Sequence, residues 1–320
     1  MYIITNGYQF IFNRMIMKSL GVAWIWMLCM APSATVTAEE VTAYFDVMRR
    51  TAQVDHVREQ QLLAMPSGEL MRQLVPYYAD TLVSIRQKAF HLTYRKGVQG
   101  GTSVERTVAV KNLLTGCDDA DGGVTGQILR YLQEFSVTDF DDECRSVING
   151  KLSRSGMPHY RELVLLAGYV GTGKDELNRL LFNAGLPERH RWYVSLALSR
   201  MGDALRTTYC VNRVRKLPVD SDVTAYVLPD LVYTRQKEAI DYCVALLLDD
   251  TLLCDSQNPD VSEKISCAYL IIPLLAPVIA DFPVAVDVSG DIAGDYRQAL
   301  PKAREWLREK KEYKIVDTTF

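Results

Sequence analysis

The sequence predicts an all-α protein: a right-handed α-solenoid of stacked antiparallel helix pairs. Three observations predict it. First, a short pattern recurs four times and ends each time on glycine: Arg86-x2-Ala89-x7-Gly97, Glu105-x2-Val108-x7-Gly116, Tyr160-x2-Leu163-x7-Gly171 and Arg191-x2-Val194-x7-Gly202. Each copy reads as a helix with a small or aliphatic residue buried near its start and a glycine stop. Glycine suits the stop because the residue after a helix often takes a left-handed backbone. Second, apolar residues recur at i, i+3, i+4 and i+7, and long strict alternation is almost absent, so helices are expected and strands are not. Third, the breaks between periodic segments are short and polar, which makes successive helices antiparallel neighbours. Units of this kind bury their apolar faces against the next unit along the chain.

The periodicity places helices near 40–50, 55–63, 67–79, 81–96, 102–115, 122–135, 139–152 and 158–169, then near 174–184, 187–201, 203–216, 222–232, 234–248, 261–280 and 295–312. Leu82, Ile85, Ala89 and Leu92 share a face, as do Val124, Ile128, Tyr131, Leu132 and Phe135. Val194, Ala197, Leu198 and Met201 repeat the arrangement, and so do Ala239, Cys243, Leu246 and Leu247. Ser67-Gly68, Asp118 to Gly123, Gly171 to Asp175, Gly185 to Glu188 and Ser221-Asp222 supply caps and turns. Tyr269 to Ala280 is apolar but carries Pro273 and Pro277, so a kinked or broken buried helix is expected there, too short to span a bilayer.

The N-terminus suggests export. Met17-Lys18 precedes an apolar run from Leu20 to Met30, then Ala31-Pro32-Ser33 and Val36-Thr37-Ala38. That is the order of a secretory signal: a basic start, a short apolar stretch, small residues at the cleavage point. Bulky Trp26, Met27 and Leu28 argue against a lipid-modified Cys29. Residues 1–38 therefore read as an upstream extension plus signal peptide, 39–290 as a helical-repeat domain and 291–320 as a C-terminal capping helix and tail. Cleavage is expected between Ala38 and Glu39, leaving a periplasmic or extracellular protein.

Removing Arg14 and Lys18 leaves 34 basic against 39 acidic residues, a net charge of −5. A dedicated nucleic-acid binder would be basic. The charge is unevenly spread. Residues 151–216 hold 12 Lys or Arg against 5 acids, a net of +7, and residues 217–300 hold 4 against 14, a net of −10. A basic block of this kind attracts an anionic partner. Six cysteines follow the signal: Cys117, Cys144, Cys210, Cys243, Cys254 and Cys267. They permit disulfides in an oxidising compartment, and Cys210 and Cys243 equally suit a helical core.

The run from Arg189 through Trp192, Val194, Ala197, Leu198 and Met201 to Gly202-Asp203 resembles the second helix of a HEAT repeat with its glycine-aspartate turn. The rhythm of residues 67–250 is similar to HEAT or armadillo-type repeats, although the copies start at uneven intervals, at 86, 105, 160 and 191. The resemblance implies a scaffold for protein recognition and carries over no catalytic residue.

Chemical motifs are weak. Gly168-Tyr169-Val170-Gly171-Thr172-Gly173-Lys174-Asp175 approaches the phosphate loop G-x4-G-K-[ST], but Asp175 stands where a hydroxyl is needed and the preceding segment reads as a helix rather than a strand. The segment therefore reads as a glycine-rich turn between helices. His56, His91, His159 and His190 lack metal spacing, and no G-x-S-x-G elbow occurs. Asp139, Asp141, Asp142 and Glu143 lack a calcium-loop pattern and read as a helix start. No cofactor and no metal is expected. The function read from the sequence is a non-catalytic scaffold binding a protein partner in the cell envelope. Its candidate contact residues are Arg189, Arg191, Arg200, Arg206, Arg213 and Arg215, on two successive helices. The alternative is an all-α envelope enzyme acting on a glycan or peptide, with Asp141 and Glu143 in an acidic cleft.

Overall fold

The computed structural model describes residues 38–99, 101–256, 263–287, 289–310 and 312–320. The signal-peptide reading, residues 1–38, lies outside the described residues except for Ala38. Among the described residues helix dominates, with one short hairpin.

Four helices open the chain: α1 (Ala38–Thr51), α2 (His56–Ala64), α3 (Ser67–Leu74) and α4 (Val83–Val98). Asp55 starts α2 by accepting from the Val57 and Arg58 amides, each at 3.1 Å. The helix expected over 67–79 stops at Leu74 and tightens into a 3-10 turn, Val75–Ala79. Pro76 has no amide hydrogen to continue the ladder. Phe45, Leu62, Leu70, Leu74, Ile85 and Leu92 close a first apolar cluster.

The central segment holds α5 (Ser103–Thr115), α6 (Gly122–Leu132), α7 (Asp142–Lys151), α8 (Tyr160–Val170), α9 (Lys174–Leu181), α10 (Glu188–Arg200) and α11 (Ala204–Val214). Their starts are written locally. Thr102 and Glu105 form a capping box, and Asp121, Asp141 and Asp203 accept from the amides of Val124, Cys144 and Arg206. The C-terminal segment opens with a π-helical turn, Val223–Val227, then α12 (Leu228–Tyr233) and α13 (Lys237–Leu248). A hairpin of β1 (Leu253–Asp255) and β2 (Lys264–Ser266) leads to α14 (Ala268–Leu275) and α15 (Tyr296–Glu309).

Packing follows chain order. α4, α6, α8, α10, α12 and α14 each touch the next of that series, while α3, α5 and α7, and then α11, α13 and α15, lie alongside. The substantial helix contacts all join helices no more than three places apart. α8 and α10 have helices on both sides, so Leu163 to Val170 and Val194 to Ser199 are buried without a polar face. Each buried leucine or valine there contributes roughly 1.5–3 kcal/mol before entropy is counted. The expected cap, residues 291–320, packs through α15 onto α13 and α14. Buried Arg304 fixes it by donating to the Leu247 carbonyl at 2.9 Å and pairing with Asp250.

Several expectations change. Gly171 and Gly202 do take left-handed conformations, with φ of +74° and +86°. Gly97 and Gly116 do not: Gly97 lies within α4, and Gly116 follows α5 with φ −81°. They are glycine for closeness, because a Cβ at Gly97 would lie 2.6 Å from the Ala109 Cβ and one at Gly116 2.1 Å from Ile128 Cδ1. Val108 and Leu82 are exposed rather than buried; α5 turns Ala109, Val110, Leu113 and Leu114 inward instead. Among the described residues β1 and β2 are the strands that the periodicity does not predict. They pair antiparallel across only three residues, with Cys254 opposite Ile265, too short for alternation to register.

Cys254 and Cys267 form a disulfide across this hairpin. Cys117, Cys144, Cys210 and Cys243 are buried thiols, and burial pushes each up to about 12. Alkylation of the denatured, unreduced protein should label those four and leave Cys254 and Cys267 as one cross-linked peptide pair. Labelling of all six would remove the staple. Breaking it with Cys254→Ser and Cys267→Ser should cost about 3 kcal/mol, the closure entropy of a loop of this size.

Candidate binding groove

The most chemically distinctive surface runs across α8, α10 and the end of α12. Tyr169 sits near the end of α8, Arg200 ends α10, Tyr233 ends α12, and Arg235 follows with φ +54°. That single left-handed residue ends α12 and precedes α13.

The chain's own tail lies in this groove. It first runs antiparallel to residues 278–280: Ala280 donates to the Lys314 carbonyl and Val316 donates to the Val278 carbonyl, each at 2.9 Å. Beyond that point side chains take over the main-chain pairing. Arg235 donates through Nε to the Val316 carbonyl at 3.1 Å and through Nη2 to the Phe320 oxygen at 2.7 Å. Arg200 donates through Nη2 to the Asp317 and Thr319 carbonyls, both at 2.8 Å. The Tyr169 hydroxyl lies 3.1 Å from the Thr318 carbonyl and 3.0 Å from that of Phe135, sharing one proton between them. Every peptide carbonyl from Val316 to Thr319, and the Phe320 oxygen, therefore accepts from a side chain.

The Phe320 ring is the apolar anchor. It lies 5.5 Å from the Tyr169 ring, edge on, and 5.3 Å from the Tyr233 ring. The Arg200 guanidinium stands over both tyrosines, at 5.5 and 5.6 Å. Tyr233 is locked by donating to the Leu165 carbonyl at 2.5 Å, and Arg200 Nη1 donates to the Tyr233 carbonyl at 2.7 Å. Burial lowers both guanidiniums from their usual range; the neighbouring Arg200 charge adds to this at Arg235, which falls to about 10.

The six arginines singled out from sequence do not converge here. Arg200 alone among them is hydrogen-bonded to the tail. Arg191 caps the end of α9, donating to the Leu181 and Asn183 carbonyls at 2.6 and 2.5 Å. Arg213 pairs with Glu188 at 2.5 Å and stands over Trp192, and Arg215 stands over Tyr242. Arg189 is exposed and Arg206 half-buried on the adjoining surface. Sequence reading missed Arg235, Tyr169 and Tyr233. Tyr169 lay inside the glycine motif, but nothing local marks Arg235, whose partners are some eighty residues away along the chain.

The other motifs resolve into structure. Residues Tyr160–Val170, ahead of the glycine motif, are helix, and the Gly171 and Thr172 amides both turn back to the Ala167 carbonyl. A phosphate would need those donors free. Lys111 sits 2.8 Å from Asp141 and also pairs with Glu143, and its hydrogen bond holds the Asp141 carboxyl down at about 2. That is the opposite direction from a general acid. Asp139 is buried against Arg106 at 2.9 Å. Among the described residues no group of three or more His, Cys, Asp or Glu could hold a metal ion, and no helix is long and apolar enough to cross a membrane. A second, mainly apolar cavity of about 520 Å³ lies among the π-helical turn, β2, α14 and the start of α15, lined by Thr224, Ile265, Tyr269 and Arg297.

Compared with protein-family models, with curated proteins and with solved structures, the chain matches none.

Proposed function

We propose that this chain is an exported helical-repeat scaffold, a degenerate HEAT- or armadillo-like α-solenoid, that binds a protein partner in the cell envelope without catalysis. The observation that carries the reading is the contact order of the helices: α4, α6, α8, α10, α12 and α14 form one row in which each member touches the next, flanked by helices near them in sequence. Stacking of that kind creates extended surfaces whose use is recognition. Export is supported by the signal-like N-terminus and by the Cys254–Cys267 disulfide, a bond that persists in oxidising compartments.

The test is capture from an envelope extract on the immobilised protein. A stoichiometric partner is expected, held less well as salt rises because surface charges are screened within about 10 Å at 0.1 M. Arg200 is taken up by the tail, so the basic surface is tested at Arg189 and Arg206, exposed and half-buried: reversing both to glutamate should weaken capture while leaving the helical circular-dichroism spectrum unchanged. Equal capture by the double variant at low and high salt would end the claim that this basic surface binds.

A further inference from the structure

We infer that the groove across α8, α10 and α12 is a peptide-binding site whose ligand is an extended segment with an aromatic anchor, and that the tail Val316–Phe320 occupies it in cis as a resident ligand. This rests on the scaffold reading above and names the chemistry of its partner.

The division of labour in the groove defines the ligand class. Four consecutive peptide carbonyls, Val316 to Thr319, and the Phe320 oxygen are engaged by Arg235, Arg200 and Tyr169. Main-chain carbonyls are common to every peptide, so these bonds supply affinity without sequence preference, the logic of peptide capture at a sheet edge. The side chains of Asp317, Thr318 and Thr319 are exposed, although the Thr319 hydroxyl accepts from Arg235 Nη2 at 3.5 Å and the Asp317 charge acts on Arg200 and Arg235. Val316 and Phe320 are half-buried, and only Phe320 meets an aromatic pair. The site thus selects a residue like valine followed, four positions on, by an aromatic, while the exposed positions between add only the long Thr319 bond to Arg235 and the charge of Asp317. Arginine suits this work because its planar fork reaches two acceptors at once. Arg200 does so for Asp317 and Thr319, and Arg235 for Val316 and Phe320.

Cis occupancy has a consequence. A covalently attached tail competes at a high effective concentration, in the millimolar range for a short linker. A partner segment of the same chemistry must displace it, so loosening the tail should raise affinity for a peptide added in trans.

The experiment uses the full chain and a fluorescent nonapeptide with the sequence Glu312 to Phe320. Phe320→Ala should bind the peptide at least roughly tenfold more tightly than the unaltered chain, since the resident ring is gone and its competition reduced. Adding Arg235→Ala to that variant should abolish the gain. A peptide with alanine at the positions of Asp317, Thr318 and Thr319 should bind within about threefold of the parent, and one with alanine in place of Phe320 roughly tenfold more weakly. Val316→Pro, which removes the amide bonded to Val278, provides an independent way to loosen the tail and should also raise peptide binding. If neither loosened chain binds the peptide better than the unaltered protein, or if the Phe320-less peptide binds equally, the inference falls. In that event continued capture of a stoichiometric envelope partner would leave the scaffold reading standing, so the two failures are separable. Dimer formation by Phe320→Ala, with tails exchanged between copies, would assign the groove to self-association and overturn a foreign ligand.

Discussion

Replacing Gly168 by alanine is expected to destabilise the protein by about 2 kcal/mol, within the range for overpacking a full core. The added Cβ would lie 2.4 Å from the Tyr233 hydroxyl and 2.7 Å from the Ala197 Cα. Ala197 is backbone of α10 at the crossing with α8, and Tyr233 is held by the Leu165 carbonyl. Neither can retreat cheaply. Alanine's better helix propensity returns about 1 kcal/mol and does not offset the clash. Gly150 provides the contrast. It is an exposed residue in α7 with nothing within 4 Å of an added Cβ, so Gly150→Ala should stabilise by about 0.5–1 kcal/mol. Urea midpoints measured on both variants decide it: shifts in the same direction would show that Gly168 is not a packing glycine.

Neutralising Glu59 should cost about 3 kcal/mol at neutral pH, the lower end for stripping one partner from a buried charge cluster. Glu59 is 3% exposed and accepts from Lys88 at 3.1 Å and Arg95 at 2.9 Å. Glu59→Gln leaves two cations facing an uncharged amide. Burial alone would raise the Glu59 carboxyl, but hydrogen bonds and charge from Lys88 and Arg95 outweigh it and hold the group below the usual carboxylate range. A folded-state pKa below the unfolded one contributes stability above the unfolded value and loses it as pH falls through the folded value. The unfolded value is about 4.3. The melting-temperature gap between the native protein and Glu59→Gln should therefore be full at pH 6 and shrink below about pH 4. A gap that stays constant into acid would show that the charge of Glu59 contributes nothing.

Helix existence and order were legible because both are local. Asp203 accepts the Arg206 amide three residues on, Asp121 accepts that of Val124, and the glycine turn from Gly171 to Gly173 separates α8 from α9 as the spacing of its residues implies. Such signals survive in one dimension because the interacting groups are a few residues apart. Two of the four repeated glycines were legible for the same reason: a left-handed helix end is a property of the residue and its neighbours. Gly97 and Gly116 were misread because their constraint is another element's surface, the Ala109 Cβ and the Ile128 side chain.

The groove belongs to the second kind. Periodicity in this sequence located most of the helices and most of their apolar faces, Leu82, Val108 and the β1–β2 hairpin apart, and showed that an arginine-rich stretch covers α10 and α11. It could not determine that Arg200 turns from the basic surface to the tail, or that Arg235, unremarkable between two helices, meets residues 316 to 320. Those contacts span some eighty to one hundred and twenty residues. They exist because stacking α8, α10 and α12 brings Tyr169, Arg200 and Arg235 onto one surface, and because residues 278–280 pair with 314–316 and steer the tail across it. Amphipathic spacing encodes which side of a helix is buried; only the packed row of helices decides which exposed side chains share a ligand.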